Sequence, residues 1–312
     1  MSHMISYYFK SIRSKEVQQL DAYRPGAWVS VEHPTKDEIV QLSEQFKLDL
    51  GDLEDALDRD EMPRLERDGD HAYIYVRHVE TSKSYEDMTS PVLFVIGPDL
   101  FLSIAYRSLP RLDRFLSGQV EFATTQRTKL FLLLMDNIVD QYEDVINRVS
   151  RKIQVIRGQL RQHRVANEDF VDFVLVEDEL NEFLSALQPL SVILRRLTLG
   201  KYIPVFEQDK DLIEDLLLNN EQSIEACLSN IKTIVNIREA YTTIASNELN
   251  RTMKILTIAT VLIALPNVFF GMYGMNVHLP FAETSFGYYL VVGATLIVML
   301  ITVIVARRKK VF

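Results

Sequence analysis

The chain has 312 residues, with 34 Lys and Arg against 43 Asp and Glu, for a formal charge of −9. That length accommodates a sizeable folded domain plus a membrane anchor, and the acidic balance argues against nucleic acid and for cations as partners. The single Cys227 excludes an intramolecular disulfide and any Cys-based zinc site, and the six His include no pair at an i,i+4 ligand spacing.

Met1–His3, ahead of Met4, reads as a cloning remnant, and the polar, charged residues that follow do not read as a signal peptide. Residues 4–124 alternate strand and helix signals. Ile5–Phe9, Ala27–Val31, Ala72–Val79, Val92–Ile96 and Phe101–Tyr106 are rich in β-branched and aromatic residues, and Gly97-Pro98-Asp99 supplies a hairpin turn between the last two. Thr35 with Glu38 forms a capping box that opens a helix carrying Ile39, Leu42 and Phe46 on one face; a second short helix is expected over Leu50–Leu57. The implied unit is a cytosolic α/β domain. It contains neither a Walker loop nor a dinucleotide fingerprint, nothing in it reads as catalytic, and neither an enzyme nor an organic cofactor is expected.

From residue 125 to 204 the pattern changes to antiparallel helices. Leu130–Leu160 and Asp169–Leu197 show apolar residues recurring at three and four, with Arg161–Asn167 as the turn. Gly200–Pro204 then breaks the pattern, and from Val205 to Leu265 there is neither Gly nor Pro. One helix continuing to Gly271 would hold about 67 residues, roughly 100 Å at 1.5 Å per residue. Pro266 is expected to kink or loosen it.

The end of that helix reads as a membrane span. No residue from Ile255 to Ala282 carries a fixed charge, enough for a span of about 20 residues placed near 252–273. Steps of four and three give Met253, Thr257, Thr260, Ala264, Asn267, Gly271 and Gly274, a small and polar face. An amide in lipid is costly unless it meets another helix or water, so this face serves either helix packing or a pore. After a short loop, 277–287, a second apolar run covers 288–306 and a basic tail 307–312. Arg251 and Lys254 flank the first span, Arg307, Arg308, Lys309 and Lys310 follow the second, and the loop has neither Lys nor Arg. The positive-inside rule therefore places both ends in the cytosol, in a multi-pass protein of the cytoplasmic membrane.

Tyr273-Gly274-Met275-Asn276 closes the first of two C-terminal spans, follows Asn250-x-x-Met253-Lys254-x-Leu256-Thr257 and precedes a basic tail. In this arrangement the chain resembles the CorA family of divalent-cation transporters. Upstream, Trp28-Val29-Ser30-Val31, Pro34-Thr35-x-x-Glu38-Ile39, Leu53-Glu54-Asp55-Ala56-Leu57 and Pro63-Arg64-Leu65-Glu66 are similar to the family's N-terminal pattern, in its order.

The resemblance implies an α+β membrane protein: a cytosolic α/β domain, a long helical stalk and two transmembrane helices per subunit, assembled as a homopentameric funnel. Two spans cannot enclose a water-filled path, so the sequence by itself requires more than two subunits. It further implies a channel or transporter for divalent cation uptake, Mg²⁺ first and Co²⁺ or Ni²⁺ after it, in which Mg²⁺ is both cargo and regulator. Gly274, Met275 and Asn276 would form the selective mouth, and Asn250, Met253, Leu256, Thr257, Thr260, Ala264, Asn267 and Gly271 would line the pore. Asn267 and Ala264 stand where the family commonly has Thr and Met, which leaves Met253 and Leu256 as candidates for a constriction. Glu54, Asp55, Asp136 and Asp215 match positions that bind regulatory Mg²⁺ between subunits. Two other readings are a zinc-exporting relative, which Met275 disfavours, and a membrane-anchored helical scaffold or sensor, which the polar face disfavours.

Overall fold

The computed structural model describes residues 5–14, 16–80, 89–161, 167–276 and 285–308. Met1–His3, most of the expected inter-span loop and Lys309–Phe312 lie outside these. The chain divides into two compact units, Met1–Val235 and Asn236–Phe312.

Seven strands of the first unit form one sheet: β1 (Ile5–Phe9), β2 (Gln18–Leu20), β3 (Trp28–Glu32), β4 (Arg64–Asp68), β5 (His71–Val79), β6 (Thr89–Ile96) and β7 (Phe101–Ala105), in the order β2-β1-β3-β7-β6-β5-β4. Only β3 and β7 pair in parallel, with Trp28 opposite Phe101 and Ser30 opposite Ser103. The hairpin expected at Gly97-Pro98-Asp99 is present, closed by the Gly97 N–H donating to the Leu100 carbonyl at 2.9 Å.

Both faces of the sheet are covered, which is why its inner strands read as continuous apolar runs rather than alternating ones. On one face Val29, Val31, Tyr73, Tyr75, Leu93, Val95, Leu102 and Ile104 pack under helix α1 (Lys36–Phe46) and helix α2 (Leu50–Glu54). Thr35 and Glu38 cap α1 reciprocally as expected. The helix expected over Leu50–Leu57 stops at Glu54, and Asp55–Leu57 tighten into a 3₁₀ turn. On the other face the Trp28 indole donates to Ser103 Oγ at 2.9 Å, and Phe94 packs edge-on against Phe131. Phe131 belongs to α4 (Arg127–Arg161), preceded by the one-turn helix α3 (Leu112–Leu116) and followed by α5 (Asn167–Thr198).

Helix α6 (Glu207–Tyr273) is 67 residues long, belongs to both units and continues through Pro266. Within the first unit two Asn amides pin it: Asn220 Nδ2 donates to the Leu187 carbonyl and Ser191 Oγ of α5, and Asn230 Nδ2 donates to Ser150 Oγ of α4. Helix α7 (Ser285–Arg308) completes the second unit.

Asn220 is fully buried. Replacing it with Ala removes both hydrogen bonds from α6 to α5 and leaves a small void, while also removing the buried, unpartnered Asn220 Oδ1, so Asn220→Ala should lower stability by about 1 kcal/mol. Thermal unfolding followed by circular dichroism checks this; an unchanged Tm would show that the buried amide does not clamp α6.

Candidate functional site

Two candidate spans emerge, the distal part of α6 and residues Phe286–Arg308 of α7. A buried core helix of a soluble protein would bury its apolar side chains inside the molecule. The most apolar window of α6 buries none of its residues, and that of α7 only 17%. Such surfaces need a bilayer or other subunits to cover them.

The exposure of α6 is arranged by face. Ile258, Leu262, Leu265, Pro266, Phe269 and Tyr273 are half-buried, while Asn250, Met253, Leu256, Thr257, Thr260, Ala264, Asn267 and Gly271 are exposed. At 100° per residue the half-buried set is centred about 170° around the helix from the small and polar stripe. In the same unit α7 buries Gly287, Val291, Thr295 and Ala306, an i,i+4 face apart from its last step. The half-buried side of α6 is therefore the side α7 covers, and from Thr260 to Gly271 the stripe points away from it. Toward Asn250 the stripe borders a shallow groove of about 390 Å³, between Met253 and Thr257 and the Thr302, Val305 and Ala306 positions of α7.

The two stripe hydroxyls donate backward along the helix, Thr257 Oγ1 to the Met253 carbonyl at 2.8 Å and Thr260 Oγ1 to the Leu256 carbonyl at 2.9 Å. Their protons are engaged, so what they offer outward is oxygen lone pairs. At the end of α6 the Gly274 N–H donates to the Phe270 carbonyl at 3.0 Å and the Met275 N–H to Met272 at 3.2 Å. Gly274, Met275 and Asn276 are all exposed there. The C-terminal end of a helix carries the negative pole of its dipole and free carbonyls, a setting that favours cations.

The four predicted regulatory acids fall into two groups. Glu54 is exposed at the end of α2. Asp55 beside it accepts from Arg64 of β4 at 2.6 Å, and the same guanidinium binds Glu61 and Glu66 and lies 3.8 Å above the Tyr75 ring. Arg64 is thus the organising cation of an acidic patch that also contains Asp52, whose carboxyl is raised by burial and by Asp49.

Asp136 on α4 and Asp215 on α6 form the second group. Asp136 is half-buried, and its carboxyl lies above the usual range because of burial first, then repulsion from Asp140 and Asp215; Arg114 of α3 opposes the shift. Asp140 escaped the sequence reading, although its i,i+4 relation to Asp136 was visible. Glu54 and Asp55 do not join this group within the chain, and among the described residues no three His, Cys, Asp or Glu side chains form a metal-holding cluster.

The family model described as CorA-like Mg²⁺ transporter protein matches residues 26–308. The chain belongs to that family. Among curated relatives it is 25% identical to the cobalt/magnesium transport protein CorA of Methanocaldococcus jannaschii over 292 residues, covering 90% of each chain. It is 22% identical to the magnesium transport protein CorA of Wolinella succinogenes over 299 residues, covering 91% of this chain and 90% of that one. Among solved structures, the complete CorA magnesium transporter of M. jannaschii matches with a TM-score of 0.85 at 23% identity, covering 99% and 98%. Full-length CmaX matches at 0.76 and 16% identity, covering 97% of this chain and 99% of that one. The cytoplasmic domain of ZntB from Vibrio parahaemolyticus matches at 0.64 and 10% identity, covering 79% and 100%. The fold expected from sequence, an α/β domain followed by a long helix and two apolar C-terminal helices, is the fold of this family.

A carboxyl whose pKa is raised on folding costs stability once pH exceeds the unfolded value of about 3.9, and the cost is complete above the folded value. With divalent cations chelated, Asp136→Asn should therefore raise the Tm at neutral pH, with the gain shrinking as pH falls toward 4. A variant no more stable than the parent at neutral pH would show that Asp140 and Asp215 exert no net repulsion on Asp136.

Proposed function

We propose that the chain is the subunit of a homo-oligomeric channel or transporter, a pentamer by family resemblance, that admits Mg²⁺ and also Co²⁺ or Ni²⁺ across the cytoplasmic membrane. The observation that carries this reading is the stripe from Asn250 to Gly274, exposed and, from Thr260 to Gly271, on the side of α6 opposite the α7-covered side. An anchor hairpin needs no such face. Around a symmetry axis, one stripe per subunit makes a channel walled by hydroxyl, amide and carbonyl oxygens, which suits a hard cation that gives up its water reluctantly.

Asn276, with the carbonyl of Gly274, forms the outer ring, reinforced by the negative poles of the α6 helices. Met253 and Leu256, exposed near the start of the span, form the apolar constriction. The names of the M. jannaschii and W. succinogenes relatives support magnesium, with cobalt as a second cargo. The likeness to the ZntB domain is one of fold, and Met275 within Gly274-Met275-Asn276 favours the magnesium reading over zinc.

Cytosolic Mg²⁺ closes the pore by bridging Glu54 and Asp55 of one subunit to Asp215 of the next, beside Asp136. When Mg²⁺ falls, the bare carboxylates repel; two unit charges 4 Å apart cost about 4 kcal/mol at an effective dielectric of 20. Several such contacts suffice to shift a closed–open equilibrium. Asp55 already has Arg64, so Glu54 and Asp215 carry more of this repulsion than Asp55 does.

Purified protein in liposomes should take up Mg²⁺. Asn276→Ala should cut that flux by at least roughly tenfold, as loss of a binding ring would, while the oligomer still elutes at its parental size; undiminished flux would overturn the selectivity role. Asp55→Asn with Asp215→Asn should yield a folded oligomer whose flux is less inhibited by internal Mg²⁺. Retention of the parental inhibition would remove these acids from gating.

A further inference from the structure

The first unit contains a second concave site, unrelated to the stripe. It is a cavity of about 1050 Å³ between the hairpin at Gly97-Pro98, the start of α4 and the segment leading from α5 into α6. That is room for a ligand of several hundred daltons.

Its charge is the informative feature. Arg127, Lys129 and Lys201 line it, and none of them has an ion-pair partner among the described residues. Two of the lining carboxylates are engaged: Glu207 accepts from Lys210 at 2.8 Å, and buried Asp209 accepts from the Phe206 N–H at 3.0 Å. Asp209 keeps its charge, because its partner is a neutral amide, so the cavity sets Arg67, Arg127, Lys129 and Lys201 against Asp70 and Asp209, a balance that is positive. The first amides of α4 add to it, since its ladder begins with Leu130 donating to Gln126 and the residues between lack intrahelical acceptors.

The same wall carries aromatic rings. Tyr202 is half-buried, and Phe206 is 69% exposed at the cavity, unusual for a large apolar ring with no bilayer to cover it. Unpaired cations beside an exposed ring match a ligand with phosphates at one end and a flat heterocycle at the other. We propose that this cavity binds a nucleoside phosphate, its phosphates on Arg127, Lys129 and Lys201 and its base against Tyr202 and Phe206. The site is independent of the ion path. Because Phe206 immediately precedes α6, an occupied cavity would tie down the chain where that helix begins.

The test is equilibrium dialysis of radiolabelled ATP with the full-length protein in detergent. Divalent cations are chelated, so that binding is separated from transport. Saturable binding is expected, displaced by unlabelled ATP and by inorganic tripolyphosphate, with ATP the tighter of the two. Arg127→Gln with Lys129→Gln should weaken it at least roughly tenfold, as loss of charge-assisted contacts would; Gln126→Trp, which fills the cavity, should weaken it too, and Lys36→Gln on α1 should not. Absence of saturable binding, or parental affinity in the double variant, overturns the site. Tripolyphosphate binding as tightly as ATP overturns the nucleoside assignment. Should the double variant melt abnormally, Lys201→Gln, at an exposed residue outside any helix or strand, decides in its place: unchanged affinity overturns the proposal.

Discussion

An amide cannot sit in hydrocarbon without a hydrogen-bond partner, and Asn267 makes that constraint the one on which the rest of the molecule depends. Its side of α6 lies about 170° from the side covered by α7, so the chain's own second span does not supply the partner. Thr257 and Thr260 satisfy their protons within the helix, whereas the Asn267 amide is exposed on the stripe. A single subunit in a bilayer is thus an incomplete structure. The proposed self-association would meet that demand, with water or a hydrated ion along the axis as the partner that leaves every subunit equivalent.

The continuity of α6 gives that constraint its reach. A helix is stiff along its axis because each added residue contributes a hydrogen bond and fixes few new dihedrals, and this one lacks Gly and Pro until Pro266. Its early turns are clamped by buried Asn220 and by Asn230, while its last turns carry the stripe. On the proposed gating, Asp215 and the stripe belong to one element with no loop between them. Coupling of this kind needs two arrangements of one element, each favoured by a different ligand state.

Much of this was legible in the sequence, for definable reasons. The strands β5, β6 and β7 are buried on both faces and so are written in β-branched and aromatic residues; the α1 cap is written in Thr35 and Glu38. The spans are written in the absence of charge. Strand β4 was not legible, because RLERD carries four charged residues in five and reads as loop. It is a sheet edge, where exposed charge is tolerated and deters pairing with other chains. With β4 unseen, the role of Arg64 was unseen too, since only the strand brings that guanidinium between Asp55 and Glu66. The short helix α3 begins at Arg111 in the left-handed region without a side-chain cap, so it left no signature either. The stripe itself was legible, but its direction was not: periodicity defines a face, and only the position of α7 says what that face looks at.

The placement of acid along the chain bears on how a dication passes. After Leu249 the sequence holds one carboxylate, Glu283, against Arg251, Lys254 and the four basic residues at 307–310. A path lined by carboxylates would hold Mg²⁺ tightly and release it slowly. On the proposed path, the neutral oxygens of Asn, Thr and the helix-end carbonyls would attract the ion's water shell without competing for the bare ion. Acid is concentrated instead in the first unit, at Glu54, Asp136 and Asp215, where, on the proposed gating, slow release would be an advantage because occupancy would have to report concentration. If the proposed gating holds, one residue class serves passage and another sensing, since a site that holds its ion long enough to sense it cannot also let it through quickly.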